Sequence, residues 1–263
     1  GTVNGVYYNG VKVDLTDTAA QRIHVNYGSD TILNIENVIG STKNDYIVGS
    51  NENNILDGKG GDDYFVLGQG VDTILGDAGS DTIAFTETTR TIGVNVDLGK
   101  NQTYGSPDSY RVVNDGFGNA KYLDSIENII GTTYSDIIFG NNDANKLFGG
   151  AGNDTLKGGL GADLLDGGAD EDWAYFNDIV VSGATIVLDT DGNSANGSTG
   201  TSNITGYTTT LVGIEHIKAT ALADIITGDH NANSILAGGS NDTIYSSKGN
   251  DYIDGEEGTD LID

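Results

Sequence analysis

Fifteen positions in this chain hold Asp or Asn at intervals of nine, in three runs of five. The first run is Asp45, Asn54, Asp63, Asp72 and Asp81. The second is Asp136, Asn145, Asp154, Asp163 and Asp172, and the third is Asp224, Asn233, Asp242, Asp251 and Asp260. Carboxylate and amide oxygens beside turn carbonyls make hard oxygen sites, the kind that suits Ca2+. Other chemistries have little to work with. The chain has no Cys, so disulfides and thiolate metal sites are excluded. His24, His216 and His230 are scattered, show no metal-ligand spacing, and read as surface or strand histidines. Neither an adjacent Ser/His/Asp set nor a phosphate loop nor a basic stripe is present. Glu36, Glu127 and Glu215 recur at one place in the pattern, which favours a structural role over a catalytic one. The run Asp189-Thr190-Asp191-Gly192-Asn193 hints at a further cation loop, but its Gly is misplaced for an EF-hand.

The element that positions each carboxylate is a nonapeptide, G-G-x-G-x-D-x-U-x with U apolar. Its clearest copy is Gly149-Gly150-Ala151-Gly152-Asn153-Asp154-Thr155-Leu156-Lys157. Six residues make a turn rich in glycine, which reaches backbone angles that other residues avoid. Three more make a short strand whose middle side chain points inward. That inward position holds Ile47, Leu56, Phe65, Ile74 and Ile83, then Ile138, Leu147, Leu156, Leu165 and Ala174, then Ile226, Ile235, Ile244, Ile253 and Ile262. One apolar residue in nine is a thin core, and a three-residue strand does not stand alone. Stacking and bound cations are expected to supply the difference.

Fifteen copies in register, over blocks 40–84, 131–175 and 219–263, resemble the RTX (repeats-in-toxin) family of calcium-binding nonapeptide repeats. The resemblance implies an all-β fold, a right-handed parallel β-roll in which two nonapeptides make one coil. Neighbours on one side are then alternate repeats, with Ca2+ held between them by the sixth-position side chains and by backbone carbonyls. It pairs Asp45 with Asp63 and Asp63 with Asp81 on one side of the first block, and Asn54 with Asp72 on the other. The second block pairs Asp136 with Asp154, Asp154 with Asp172, and Asn145 with Asp163. The third pairs Asp224 with Asp242, Asp242 with Asp260, and Asn233 with Asp251. Roughly three Ca2+ ions per block are implied, with half-formed sites at the ends. Where the pattern asks for Gly at position four, the chain has Lys43, Glu52, Tyr134, Asp143, Asp170, Leu222, Asn231 and Ser240, so those turns are expected to be reshaped.

A longer repeat encloses the short one. Strand-like segments Ile35-Glu36-Asn37, Ile126-Glu127-Asn128 and Ile214-Glu215-His216 each precede a block, at a spacing of roughly ninety residues. The connectors 1–39, 85–130 and 176–218 are read as strand pairs that cap or extend each roll. Their first runs are Val11-Lys12-Val13-Asp14-Leu15, Val94-Asn95-Val96-Asp97-Leu98 and Thr185-Ile186-Val187-Leu188-Asp189. Second runs such as Tyr110-Arg111-Val112-Val113 and Thr208-Thr209-Thr210-Leu211 follow polar turns, among them Gly105-Ser106-Pro107-Asp108 and Asp191-Gly192-Asn193-Ser194. Phe85, Trp173, Tyr175 and Phe176 are expected to plug roll ends. No segment holds a helical period.

Composition fits this reading. Lys+Arg 12 against Asp+Glu 39 gives a net charge of -27, with 40 Gly and one Pro in 263 residues. Such a chain repels nucleic acid and anionic membrane, attracts cations, and resists compaction until neutralised. No apolar run approaches the ~18 residues of a membrane span, and no signal peptide opens the sequence. The sequence reads as a monomeric piece of a longer polypeptide. The resemblance implies a secreted or cell-surface bacterial protein, exported by type I secretion and folding on Ca2+ outside the cell. It would serve as a structural module of an adhesin, surface-layer protein or toxin, without enzymatic activity. The alternative is a polyuronate-binding accessory module of a polysaccharide-modifying enzyme such as an alginate epimerase.

Overall fold

The computed structural model describes residues 2–3, 6–23, 28–86, 88–99, 112–177, 179, 181–188, 199–204 and 206–263. His24, the turn Gly105-Ser106-Pro107-Asp108, the start of the run at Tyr110 and the loop Asp189-Thr190-Asp191-Gly192-Asn193 lie outside the described residues. Strands of two to six residues and turns make up the described chain, without a helix. It divides into two units, Gly1–Thr132 and Thr133–Asp263.

In the first unit the repeat period of nine becomes a strand period of eighteen. One face stacks Lys12–Asp14, Tyr46–Val48, Tyr64–Val66, Thr82–Ala84 and Asn128–Ile130 in parallel. The register aligns Val13, Ile47, Phe65, Ile83 and Ile129 in one column. The opposite face stacks Asn37–Ile39, Ile55–Asp57, Thr73–Leu75 and Tyr122–Asp124, aligning Val38, Leu56, Ile74 and Leu123. Successive side chains of a strand point to opposite faces, so the middle residue of each triplet meets only other middle residues. The two columns form the core, and every member is buried. The parallel β-roll expected from the repeat is the observed architecture.

The second unit repeats this with one change. Ile138, Leu156, Ala174, Ile217, Ile235 and Ile253 form an uninterrupted column across the connector. On the other face Leu147, Leu165 and Leu211 stack first. Tyr207–Val212 then pairs antiparallel with Thr199–Ile204, which pairs antiparallel with Thr185–Val187. Parallel stacking resumes through Ile186, Ile226, Ile244 and Ile262. The connector therefore extends the roll, three strands on one face and one on the other. Ile262 departs from the buried pattern: it is 57 % exposed, and among the described residues its strand pairs only with Thr243–Tyr245.

The Ile-Glu segments are turns, not strands. The strands begin later, at Asn37–Ile39, Asn128–Ile130 and His216–Lys218. Before each Ile stands a residue with left-handed backbone: Asn34 at φ 55, Ser125 at φ 52 and Gly213 at φ 54. This residue reverses the chain so tightly that Leu123 and Ile129, or Leu211 and Ile217, face each other after a three-residue turn instead of six.

Close stacking also explains which turns need Gly at position four. A Cβ on Gly152, which has φ +97, would lie 2.7 Å from the Ser135 nitrogen, in the turn one coil back. Lys43, Glu52, Tyr134, Asp143, Leu222 and Asn231 sit in the first turn of each column, with no repeat turn behind them. None of the six has positive φ, so these turns are reshaped as expected. Asp170 and Ser240 differ. They keep the left-handed conformation, φ 85 and 72, that Gly has elsewhere.

Candidate metal centre

The eighteen-residue register brings the sixth-position side chains into columns. Asp45, Asp63 and Asp81 share one, and Asn54 and Asp72 another. In the second unit Asp136, Asp154 and Asp172 align, as do Asn145 with Asp163, Asp224 with Asp242 and Asp260, and Asn233 with Asp251. Asp251 and Asp260 are partly exposed and the other thirteen are buried.

One hydrogen bond defines each column. The Oδ1 of a carboxylate accepts the backbone N–H of the sixth-position residue one coil earlier. Asp45 N–H donates to Asp63 at 2.8 Å, and Asp63 N–H to Asp81 at 2.8 Å. The same bond runs from Asp136 to Asp154 and from Asp154 to Asp172, both 2.7 Å, and from Asp224 to Asp242 and Asp242 to Asp260. Asn54, Asn145 and Asn233 donate their N–H groups to Asp72, Asp163 and Asp251. A second ladder, from position five, runs beside it: Asp62 N–H to Asn44 Oδ1, Ser80 N–H to Asp62 Oδ1.

The second oxygen distinguishes the turns. Among the described residues, Oδ2 of Asp63, Asp81, Asp154, Asp172 and Asp242 is buried and has no hydrogen-bond partner. All five belong to the three-turn columns. A buried carboxylate oxygen without a donor is costly and calls for a cation or a proton. Burial accordingly pushes Asp63 and Asp154 up to about 8, Asp81 to about 7, and Asp172 and Asp242 to about 6, with neighbouring carboxylates adding to the rise. Backbone carbonyls lie close to three of these atoms, those of Asp81, Asp154 and Asp172. A Cβ added at Gly149 would lie 2.1 Å from Asp154 Oδ2 and 2.7 Å from the Gly167 carbonyl of the next coil. Among the described residues, no three His, Cys, Asp or Glu side chains are grouped to hold a metal. Any site here therefore draws on main-chain carbonyls as well as carboxylates.

First turns are satisfied differently. Both Asp45 oxygens accept hydrogen bonds, from Val11 N–H and from the Ser41 N–H and hydroxyl. Asp224 likewise takes those of Ala184 and Thr220. The Asn residues accept from their own turns, at Ser50, Asn141 and Asp229. Asn54 and Asn233 also donate, to Ser50 Oγ and to Asp229 Oδ1 and the Glu215 carbonyl. An amide suits the start of a column because it supplies donors as well as an acceptor.

Two acids singled out as structural close the columns. Glu127 Oε2 accepts Asp81 N–H at 2.8 Å, and Glu215 Oε2 accepts Asp172 N–H at 2.9 Å. Each does for the last turn what a following Asp would do. Burial first, then the charges of Asp172 and Glu171, raise Glu215 to about 7. Glu36 is exposed. Only their recurrence before each block signalled these two glutamates in the sequence. His216 is unlike a metal ligand: its Nδ1 accepts Ser234 N–H and its Nε2 faces Glu171 at 3.1 Å. Of the aromatics expected to plug roll ends, Phe85 and Phe176 are buried, whereas Trp173 and Tyr175 lie half-buried on a strand, with Trp173 against His216.

A search of curated proteins finds no match. A family model, described as RTX calcium-binding nonapeptide repeat (4 copies), matches at residues 35–65, 48–83, 124–156, 139–174, 212–243 and 227–262. Together these spans cover more than half of the chain and include all fifteen turn-ending positions, whereas the connector strands at 12–14 and 185–187 lie outside them. With its nonapeptides stacked at eighteen-residue intervals and its carboxylates in columns, the chain belongs to the RTX calcium-binding nonapeptide-repeat family.

Proposed function

We propose that Ca2+ binds between successive turns of each column and that binding and folding are one event. The observation that carries this is the set of five buried, donor-less oxygens on Asp63, Asp81, Asp154, Asp172 and Asp242. Turn carbonyls stand near those of Asp81, Asp154 and Asp172, and no Lys or Arg side chain within 4.0 Å pairs with any of the five among the described residues. The donor set is oxygen only and mixed carboxylate and carbonyl, which fits Ca2+. The metal would supply two positive charges at a place where burial otherwise forces a carboxylate to hold a proton. Asp45, Asp136, Asp224 and Asp260 complete the three-turn columns. Asn54 with Asp72, Asn145 with Asp163, and Asn233 with Asp251 contribute fewer charges and would bind less tightly. Glu127 and Glu215 would extend their columns by one position each.

In this reading the chain's role is mechanical. A net charge of -27 holds it open where Ca2+ is scarce, and ~millimolar Ca2+ outside the cell closes it into a stiff roll. It serves a secreted or cell-surface bacterial protein as a structural module and carries no catalytic set of its own. Circular dichroism in chelator should show a disordered chain, with a cooperative gain of β signal as Ca2+ rises. Mg2+ should not substitute, because it demands a tighter octahedral shell. A fully folded spectrum in excess chelator would overturn the coupling.

A further inference from the structure

Asp72 ends the two-turn column of the first block, and its Oδ2 is the counterpart of the five donor-less oxygens. Here a cation is already present. The Lys121 ammonium lies 2.7 Å from Asp72 Oδ2, 3.0 Å from the Asp115 carboxylate, and 3.0 Å from each of the Gly68 and Gly70 carbonyls. Lysine and both carboxylates are fully buried. Gly68, Gly70 and Asp72 are positions two, four and six of one nonapeptide. The ammonium thus sits on the oxygens that a repeat turn presents toward its next neighbour, and Asp115 closes the cage from the connector.

The surroundings hold this arrangement firmly. Asp115 Oδ1 accepts the N–H groups of Phe117 and Asn119, both at 2.9 Å, which leaves Oδ2 aimed at the lysine. Lys121 exchanges backbone hydrogen bonds with Val112 and immediately precedes Tyr122–Asp124, the strand that stacks on Thr73–Leu75. Arg90 donates to the Leu67 carbonyl of the same turn at 2.7 Å and lies between the rings of Phe85 and Phe117. Two side-chain cations from the connector thus cap one turn. The second block offers a contrast at the same place. There Thr209, within Tyr207–Val212, immediately precedes the residues that stack on Leu164–Asp166, and its hydroxyl is 3.5 Å from Asp163 Oδ2.

We propose that the cage of Gly68 O, Gly70 O, Asp72 Oδ2 and Asp115 Oδ2 is a divalent-cation position that this chain fills with its own Lys121 ammonium, so the first block closes at this end without metal. This rests on the reading of the columns as Ca2+ sites. A strongly bound divalent ion would neutralise both carboxylates, whereas the lysine neutralises one but cannot dissociate. The four oxygens are of the class Ca2+ uses, and water could fill the remaining shell once the long side chain is gone.

The test is the number of Ca2+ ions bound per chain at saturation, measured by equilibrium dialysis and elemental analysis. Lys121→Thr copies the residue of the second block. It should bind one more ion than the wild type and require a severalfold higher Ca2+ concentration to fold. A folded Lys121→Thr chain with the wild-type ion count overturns the proposal. If that variant does not fold at any Ca2+ concentration, Lys121→Thr is combined with Asp115→Asn, which removes the repulsion between the two bare carboxylates. The double variant should fold and still take up the additional ion, more weakly; a wild-type count there is equally fatal. A wild-type chain that binds no Ca2+ would instead sink the reading of the columns, an outcome distinct from either.

Discussion

Gly149→Ala tests the geometry of the proposed site with a single methyl group. The new Cβ would stand 2.1 Å from Asp154 Oδ2 and 2.7 Å from the Gly167 carbonyl, where an ordinary carbon–oxygen contact needs more than 3 Å. The carboxylate must turn aside by about 1 Å, or the two coils must part. Turning it loosens the 2.7 Å bond from Asp136 N–H, and a buried unpaired N–H costs about 1–3 kcal/mol. Overpacking adds about 1–3 kcal/mol. A deficit near 3 kcal/mol, shared among roughly three ions in the block, raises the Ca2+ midpoint about fivefold. Gly60→Ala is the control, because its Cβ would lie 3.4 Å from the Ala78 carbonyl, an ordinary contact, and its φ is not in the left-handed range. Parallel Ca2+ titrations by circular dichroism compare the two. Equal midpoints for both variants, or a larger shift for Gly60→Ala, would refute the placement of Ca2+ beside Asp154 and the Gly167 carbonyl.

Asp63→Ala should weaken Ca2+-induced folding strongly, since Asp63 bonds Asp45 and is bonded by Asp81's oxygen in turn, whereas Asn54→Ala should shift the midpoint much less; equal shifts in parallel titrations would mean that the column assignment is wrong. Burial raises Asp63, Asp81 and Asp154 to between about 7 and 8 in the folded chain, from an ordinary 3.8. The metal-free fold therefore binds more protons than the unfolded chain, so its stability is greatest below pH ~4 and falls as pH rises to ~8. Chelated protein should gain β signal on acidification from pH 8 to pH 5, and the Ca2+ midpoint should fall as pH rises from 6 to 8, because metal must displace those protons; a pH-independent midpoint would contradict this. Glu215→Ala strips Asp172 N–H of its acceptor and should cost about 1–3 kcal/mol in a denaturant series at saturating Ca2+, against less than ~0.5 for exposed Glu36→Ala.

Periodic features of the fold were legible in the sequence because each physical demand recurs. The inward column from Ile47 through Phe65 to Ile83 needs an apolar residue at one position in nine, and the eighteen-residue register follows once two nonapeptides make a coil. Departures at position four were legible for the same reason, and stacking explains them: Lys43 and Tyr134 have no repeat turn behind them, while Gly61 and Gly152 do. What occurs once was not legible. Lys121 stands 49 residues after Asp72, as the sequence numbers give, in a connector with no repeat to mark it, and one lysine in an acidic chain signals nothing. Ile126-Glu127-Asn128 reads as strand-like in the sequence, but Ser125, Ile126 and Glu127 make the turn and the strand begins at Asn128. Its true cue is the left-handed residue before it, which is Asn, Ser or Gly at the three occurrences, too varied to declare itself.

The carboxylate-to-amide bond that links each coil to the next has a direction. Donor and acceptor are not interchangeable: the N–H always belongs to the earlier coil and the oxygen to the later one. Within a column the roll is thus a polar filament, with an amide-bearing end and a carboxylate-bearing end that water treats unequally. Removing an early coil frees a carboxylate oxygen, which hydrates readily. Removing a late coil strands a buried N–H, which does not. A partial roll that keeps its later coils therefore exposes only a carboxylate, whereas one that keeps only its earlier coils leaves an N–H without its acceptor. Glu127 and Glu215 act as terminators in this scheme: each satisfies the final N–H with a residue that belongs to no further nonapeptide.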